Sequence, residues 1–237
     1  MHEHIFKRFD AELDDIRARI TQMGGLVEEQ MRAALQALGG EDRELIDLVI
    51  SRDAGIDQME LSIDAACAHI IARRQPTAID LRMIMAVSKI VTDLERIGDE
   101  IKKIAKNARK IYEQGMGGCL TQVTEIRYVG ERVLGMLHDV LDAFVRVDDA
   151  AALAVISRDK EIDESFRSIV RQLVTFMMED PRTISTALDI IFIARSVERI
   201  GDHTKNIARD VIFIARGEDV RHTPLGKQGM AEEGDAQ

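Results

Sequence analysis

Apolar residues recur along two stretches of the chain with the alternating four- and three-residue spacing of a helix packed against partners. Met83, Val87, Ile90, Leu94, Ile97, Ile101, Ile104, Ala108 and Ile111 form the first stripe. Ile190, Ile193, Val197, Ile200, Ile207, Val211 and Ile214 form the second, interrupted by Thr204. Such heptads call for long helices packed at shallow angles, as in helical bundles. Stop and start signals then divide the chain into six helices. The first is predicted from about Ile5 to Leu38, ending at Gly39-Gly40, a natural C-cap. The second runs from about Arg43 to Arg74 and is broken by Pro76, and the third from about Thr77 to Gln114, stopped by GMGG. The remaining three span about Thr121 to Val147, Ala150 to Glu179 and Arg182 to Arg216. From Gly217 onward the periodicity is lost and the sequence reads as a flexible tail.

The two stripes belong to an internal duplication. ISRDAGIDQME, from Ile50, matches ISRDKEIDESF, from Ile156, at an offset of 106. Gln75-Pro76 aligns with Asp180-Pro181 at 105, and Glu95-Arg96-Ile97-Gly98-Asp99 with Glu198-Arg199-Ile200-Gly201-Asp202 at 103. The predicted fold is therefore all-α, a tandem duplication of an antiparallel three-helix bundle. Residues 1–116 form the first bundle, residues 117–216 the second, and residues 217–237 a tail.

Composition agrees with a helical protein and narrows its function. Aromatic residues make up 4% of the chain, Trp is absent and Pro occurs three times. The net charge of −10 argues against nucleic acid, whose backbone demands clustered cations. Lys102, Lys103, Lys106, Arg109 and Lys110 form one basic run, read as a solvated helix end because Glu100 and Glu113 intermix with it. Cys67 and Cys119 lack CxxC spacing, so neither a zinc site nor a disulfide framework is indicated, and Cys67 reads as a small core residue. No signal peptide and no membrane-spanning run is apparent, which predicts a soluble, cytoplasmic protein. There is no Gly-rich phosphate loop, nucleophile elbow or Glu-x-x-His motif. No dedicated anion pocket is apparent either.

The chemistry that remains is acidic. Glu95 and Asp99 stand four residues apart, as do Asp53 and Asp57, so each pair projects from one helix face. Antiparallel helices joined near Pro76 pair residues equidistant from that turn. Asp57 then lies level with Glu95, and Asp53 with Asp99. In the second repeat Asp163 lies level with Glu198 and Asp159 with Asp202. Heptad positions place each quartet on the rim of a groove beside the core, with Gly98 or Gly201 on the seam. Oxygen donors of this kind suit hard cations such as magnesium, manganese, calcium or iron. The competing reading is that Arg52, Arg96, Arg158 and Arg199 neutralise the acids as ion pairs. His203 follows Asp202 and reads as solvent-facing or as an extra ligand, while His69 and His138 read as structural.

The duplicated LERIGDEIKKIAKN and VERIGDHTKNIARD, the SRDAGID and SRDKEID segments and QPTAIDLRMI resemble the PhoU family over about Ile5 to Arg216. The resemblance implies two three-helix bundles with pseudo-twofold similarity and metal ions on the bundle surface, magnesium, manganese or iron among them. It implies a cytoplasmic, non-enzymatic regulator, commonly a homodimer, that negatively regulates phosphate uptake and the phosphate-starvation response. Its implied partners are the ATP-binding subunit of the phosphate ABC importer and the sensor histidine kinase of the phosphate two-component system. The family's metal motifs fall on Asp53, Asp57, Glu95 and Asp99, and on Asp159, Asp163, Glu198 and Asp202. The sequence departs from the family at Glu100, where a His often follows the motif. The alternative is a metal-dependent hydrolase or oxidase that uses the same carboxylates.

Overall fold

The computed structural model describes residues 2–40, 42–114 and 120–220, and every regular element in them is helical. In chain order these are α1 (His2–Leu38), α2 (Arg43–Arg74), α3 (Ala78–Gln114), α4 (Leu120–Arg146), α5 (Asp149–Glu179) and α6 (Ile184–Arg216). The fold is all-α with six long helices, and the predicted boundaries hold to within a few residues. The GMGG stop and Cys119 lie outside the described residues, as does most of the predicted tail.

Local chemistry explains the helix ends. Asp42 and Asp148, equivalent positions at an offset of 106, each accept a hydrogen bond at 2.9 Å from a first-turn amide, that of Leu45 or Ala151. At the bundle turns the repeats diverge. α2 ends on Gln75 in the left-handed region, with φ of 48°. α5 ends on an extended Asp180, whose side chain takes the Arg182 amide and tightens Pro181–Thr183 into a 3-10 turn. The sixth helix therefore starts at Ile184, two residues later than the sequence suggested. Past α6, Gly217 (φ 77°) closes the helix, and Val220 packs at 4% exposure. The start of the predicted flexible tail is thus packed against the core.

Helices α1, α2 and α3 pack on one another, as do α4, α5 and α6. The two sets meet along α1 against α4 and, more extensively, α3 against α6, and one apolar cluster runs through both. Gly24 and Gly130 occupy equivalent positions, and so do Leu35 and Leu141. A Cβ built on Gly24 would meet Leu141 Cδ1 at 2.7 Å, and one on Gly130 would collide with Leu35 Cδ2. Each repeat thus offers a glycine notch to the other's leucine, which is pseudo-twofold packing.

The α3–α6 seam obeys the same symmetry but is polar. Asp93, Glu100, Asp189, Ser196 and Asp210 are all buried within it. Ser196 Oγ donates to Glu100 Oε2 at 2.8 Å, and His203 Nδ1 lies 2.8 Å from Asp93 Oδ1. Asp93 and Ser196 are equivalent residues, as are Glu100 and His203, so these are two versions of one contact. Glu100 also accepts from Lys103 Nζ at 2.9 Å and Arg199 Nη1 at 3.0 Å, so its buried carboxylate is well satisfied. His203 is therefore neither solvent-facing nor committed to the acidic groove. The half-buried imidazole joins the two repeats.

Candidate functional site

The acidic groove of the first repeat is built by the stripe of α2. Ile46, Val49, Asp53, Ile56, Glu60, Ile63, Cys67 and Ile70 follow an unbroken three-four alternation. Two carboxylates therefore stand in slots of the core-facing stripe. Asp53 is 2% exposed, Glu60 is half-buried, and their apolar neighbours on the stripe are buried. The sequence reading placed Asp53 on the rim of the groove. The structure places it on the floor, because its helix presents that position to α3. Asp57 is exposed, while Glu95 and Asp99 are half-buried, so the quartet runs from floor to rim.

Gly98 lets α2 approach α3 there. A Cβ on it would come within 3.1 Å of Ile56 Cδ1 and 3.7 Å of Asp53 Oδ1. One turn further along α3, Lys102 Nζ donates to Asp53 Oδ2. That hydrogen bond, followed by the charges of Asp53, Asp99 and Asp57, raises the ammonium above the ordinary lysine range despite some burial. Glu95 is pushed above the usual carboxylate range, first by burial and then by Asp99, Glu60, Asp57 and Asp53. All four predicted acids therefore share one electrostatic site, joined by Glu60.

The second groove repeats the floor and changes the rim. Asp159 is 8% exposed and accepts from Lys205 Nζ, which also donates to Asp202 Oδ1 at 3.2 Å. Burial lowers the Lys205 pKa, but the two carboxylates outweigh it and the ammonium ends above its ordinary range. Glu198 is raised by burial, opposed by Arg195, raised by Asp202 and Asp163, and opposed by Arg199. Its Oε2 is buried without a hydrogen bond and lies 3.6 Å from Arg195 Nε. Arg195 in turn lies 5.6 Å over the ring of Phe166, the residue equivalent to Glu60. A methyl group on Gly201 would make ordinary contacts, at 3.6 Å to Ile162 and 3.9 Å to Val133, so the close approach belongs to Gly98 alone.

Among the described residues, none of the arginines considered as neutralising partners forms an ion pair with the eight acids. Arg158 pairs with Asp139 on α4 and Arg199 with Glu100 on α3, while Arg52 and Arg96 form no ion pair among the described residues. The neutralising cations are Lys102 and Lys205, three residues beyond Asp99 and Asp202, and Arg195 in the second repeat. Lys102 is thus part of the groove and not only of a solvated helix end. The other two features behave as structural residues. His138 Nδ1 lies 3.2 Å from Glu28 Oε1 across α1–α4, and burial pushes the Cys67 thiol up to about 11. Among the described residues, no group of three or more Asp, Glu, His or Cys side chains is arranged to hold a metal ion as it stands. The lysine ammonium is the cation at each floor. Among the same residues, no helix is long and apolar enough to cross a membrane.

Comparison with known proteins agrees with this architecture over nearly the whole chain. The PhoU domain family matches residues 20–108 and 126–211, one match in each repeat. A Pseudomonas aeruginosa protein described as a phosphate-specific transport system accessory protein PhoU homolog is 48% identical over 230 residues, covering 97% of this chain and 93% of its own. The Escherichia coli accessory protein PhoU is 44% identical over 222 residues, covering 94% and 91%. The crystal structure of PhoU from Pseudomonas aeruginosa superposes with a TM-score of 0.86 at 48% identity, covering 89% of this chain and 100% of that one. The phosphate transport system regulatory protein PhoU from Streptococcus pneumoniae does so at 0.82 and 29% identity, with coverage of 90% and 99%. With two family matches along its length and both repeats preserved in its relatives, this chain belongs to the PhoU family.

Proposed function

We propose that this protein is a cytoplasmic accessory of a phosphate-specific transport system, a regulatory adaptor that restrains phosphate uptake and the starvation response and catalyses no reaction. The observation that supports this reading is similarity along 94% or more of the chain, and 91% or more of theirs, to proteins named as phosphate-specific transport system accessory proteins. Its partners are the ATP-binding subunit of the importer and a sensor histidine kinase, and it works as a homodimer. The test is affinity capture of the full chain from phosphate-replete cells, with deletion of its gene in parallel. Recovery of the importer subunit and the kinase, with derepressed uptake in the deletion strain, is the expected result. Unchanged uptake and an unchanged starvation response in the deletion strain overturn it.

In the same reading the two acidic grooves are sites for hard cations such as manganese, magnesium or iron. The donor set supports this. Each groove offers only carboxylate oxygens, has a buried aspartate at its floor, and already holds a positive group against that aspartate. Asp53, Asp57, Glu95 and Asp99 would hold a cation in the first groove, and Asp159, Asp163, Glu198 and Asp202 in the second. Such an ion would supply fixed positive charge that draws the carboxylates together and braces α2 on α3, or α5 on α6. The floor lysine carries its ammonium on a flexible four-carbon stem, so it can yield its place. Elemental analysis and melting of chelator-treated protein with and without added manganese test this role. Bound metal with a raised Tm is expected, and protein that neither retains metal nor gains stability from it rules the role out.

A further inference from the structure

Between α3 and α6 the seam opens into a cleft of about 360 Å³. Its wall carries three cations, Lys89, Arg96 and Arg209, together with Asn206 and the carboxylates Asp93 and Asp210. A concentration of cations on a chain of net charge −10 needs a reason, and ion pairing accounts for only part of it. Lys89 Nζ lies 3.6 Å from Asp210 Oδ1 and 5.3 Å over the Phe213 ring. Arg96 is exposed and forms no ion pair among the described residues. Arg209 places one Nη1 donor on Asn206 Oδ1 at 3.2 Å, while its Nε is buried with no acceptor. That Nε has no surface toward the cleft, so what the half-buried Arg209 offers a bound ion is its remaining Nη N–H groups.

We infer that this cleft binds an oxyanion of the phosphate class, with Arg96, Arg209 and Lys89 as donors and Asp93 and Asp210 as selectivity residues. The cations supply the charge-assisted hydrogen bonds that a tetrahedral oxyanion takes. The two aspartates then separate one oxyanion from another. Both are buried, at 6% and 7% exposure, and an ionised carboxylate can only accept. Phosphate near neutral pH keeps a P–O–H that donates to such an acceptor, whereas sulfate keeps no proton and meets only repulsion. The cleft is formed by residues more than a hundred positions apart in the chain, which is why no anion pocket is visible in the sequence. This inference leans on neither the transport role nor the cation grooves.

Calorimetric titration of the chelator-treated full chain with inorganic phosphate, at near-physiological salt, tests it, with sulfate titrated in parallel. One saturable phosphate per chain is expected, with sulfate weaker by about tenfold or more. Arg96→Ala, at an exposed position where folding is not at stake, and Arg209→Lys should each weaken phosphate by about tenfold. Lys110→Ala removes a charge further along the same seam and should change affinity by less than about twofold. Asp93→Asn should narrow the gap between phosphate and sulfate. Absence of saturable phosphate binding overturns the inference, as does equal binding of sulfate, which reduces the cleft to general anion attraction. Phosphate binding that Arg96→Ala leaves intact also overturns it, because the ion then sits elsewhere.

Discussion

In the first acidic groove five carboxylates surround a single ammonium, whereas in the second four carboxylates share an ammonium and a guanidinium. The buried aspartate and its lysine are common to both. The difference comes from two pairs of equivalent positions, Glu60 on the α2 stripe against Phe166, and Thr92 against Arg195. Duplication has kept the floor and retuned its surroundings, so the first groove carries the greater excess of negative charge. It should attract a divalent cation more strongly and be the less stable of the two without one.

The largest expected effect comes from removing the floor cations. Lys102→Ala leaves a buried Asp53 facing four other carboxylates and should cost about 3 kcal/mol in chelator-treated protein, against about 2 for Lys205→Ala, where Arg195 remains. Urea unfolding measures both, and added manganese should recover more of the loss in the first variant. Equal losses, or no recovery in either, would break the comparison. Next comes exchange of Glu60 and Phe166. Glu60→Phe should stabilise the metal-free protein by about 1 kcal/mol and weaken manganese binding in the first groove by about tenfold, while Phe166→Glu strengthens binding in the second. Competition with a manganese indicator reports the affinities, and an unchanged order of the two grooves would show that Glu60 and Phe166 do not set it.

Smaller effects probe the packing beneath. A methyl group fits at Gly201 but presses on Ile56 at Gly98. Gly201→Ala should therefore gain up to about 1 kcal/mol from helix propensity, and Gly98→Ala should gain nothing. Parallel thermal melts decide this, and equal gains would mean that α2 yields freely at Gly98. The smallest effect concerns Asp149, held below the ordinary carboxylate range first by its hydrogen bond from Arg216, against slight burial. An acid whose pKa is depressed by folding stabilises the protein at neutral pH and loses that contribution as pH falls through its folded value. Because the pair is about one-third exposed on each side, Asp149→Asn should cost less than about 0.5 kcal/mol at neutral pH, with the difference vanishing in strong acid. Urea unfolding across pH shows whether the two curves converge.

The long helices, the duplication and the gathering of the acids between neighbouring helices were legible in the sequence, because each is written in spacing. Depth was less so. The three-four alternation through Asp53 and Glu60 was present, but beside Ile56 the acid reads equally well as a flank, and only packing against α3 decides. The identity of the counter-ions was hidden for a related reason. Arg52 and Arg96 adjoin the acids in sequence but pair with none of them among the described residues, while Lys102 reaches back one turn and across to another helix. His203 and Glu100 also escaped, since their partners lie on the opposite repeat and no local pattern announces a contact between residues 110 or 96 positions apart.

The reciprocal fit of Gly24 with Leu141 and Gly130 with Leu35 is the kind of contact that two copies of one chain make on each other through a self-complementary face. Joining the copies end to end turns such an encounter into a folding step and raises the local concentration of one half around the other. It also releases a constraint. In a true homodimer a single codon must serve both sides of the axis, whereas here each side has its own, and the position that is glutamate in one half is free to be histidine in the other.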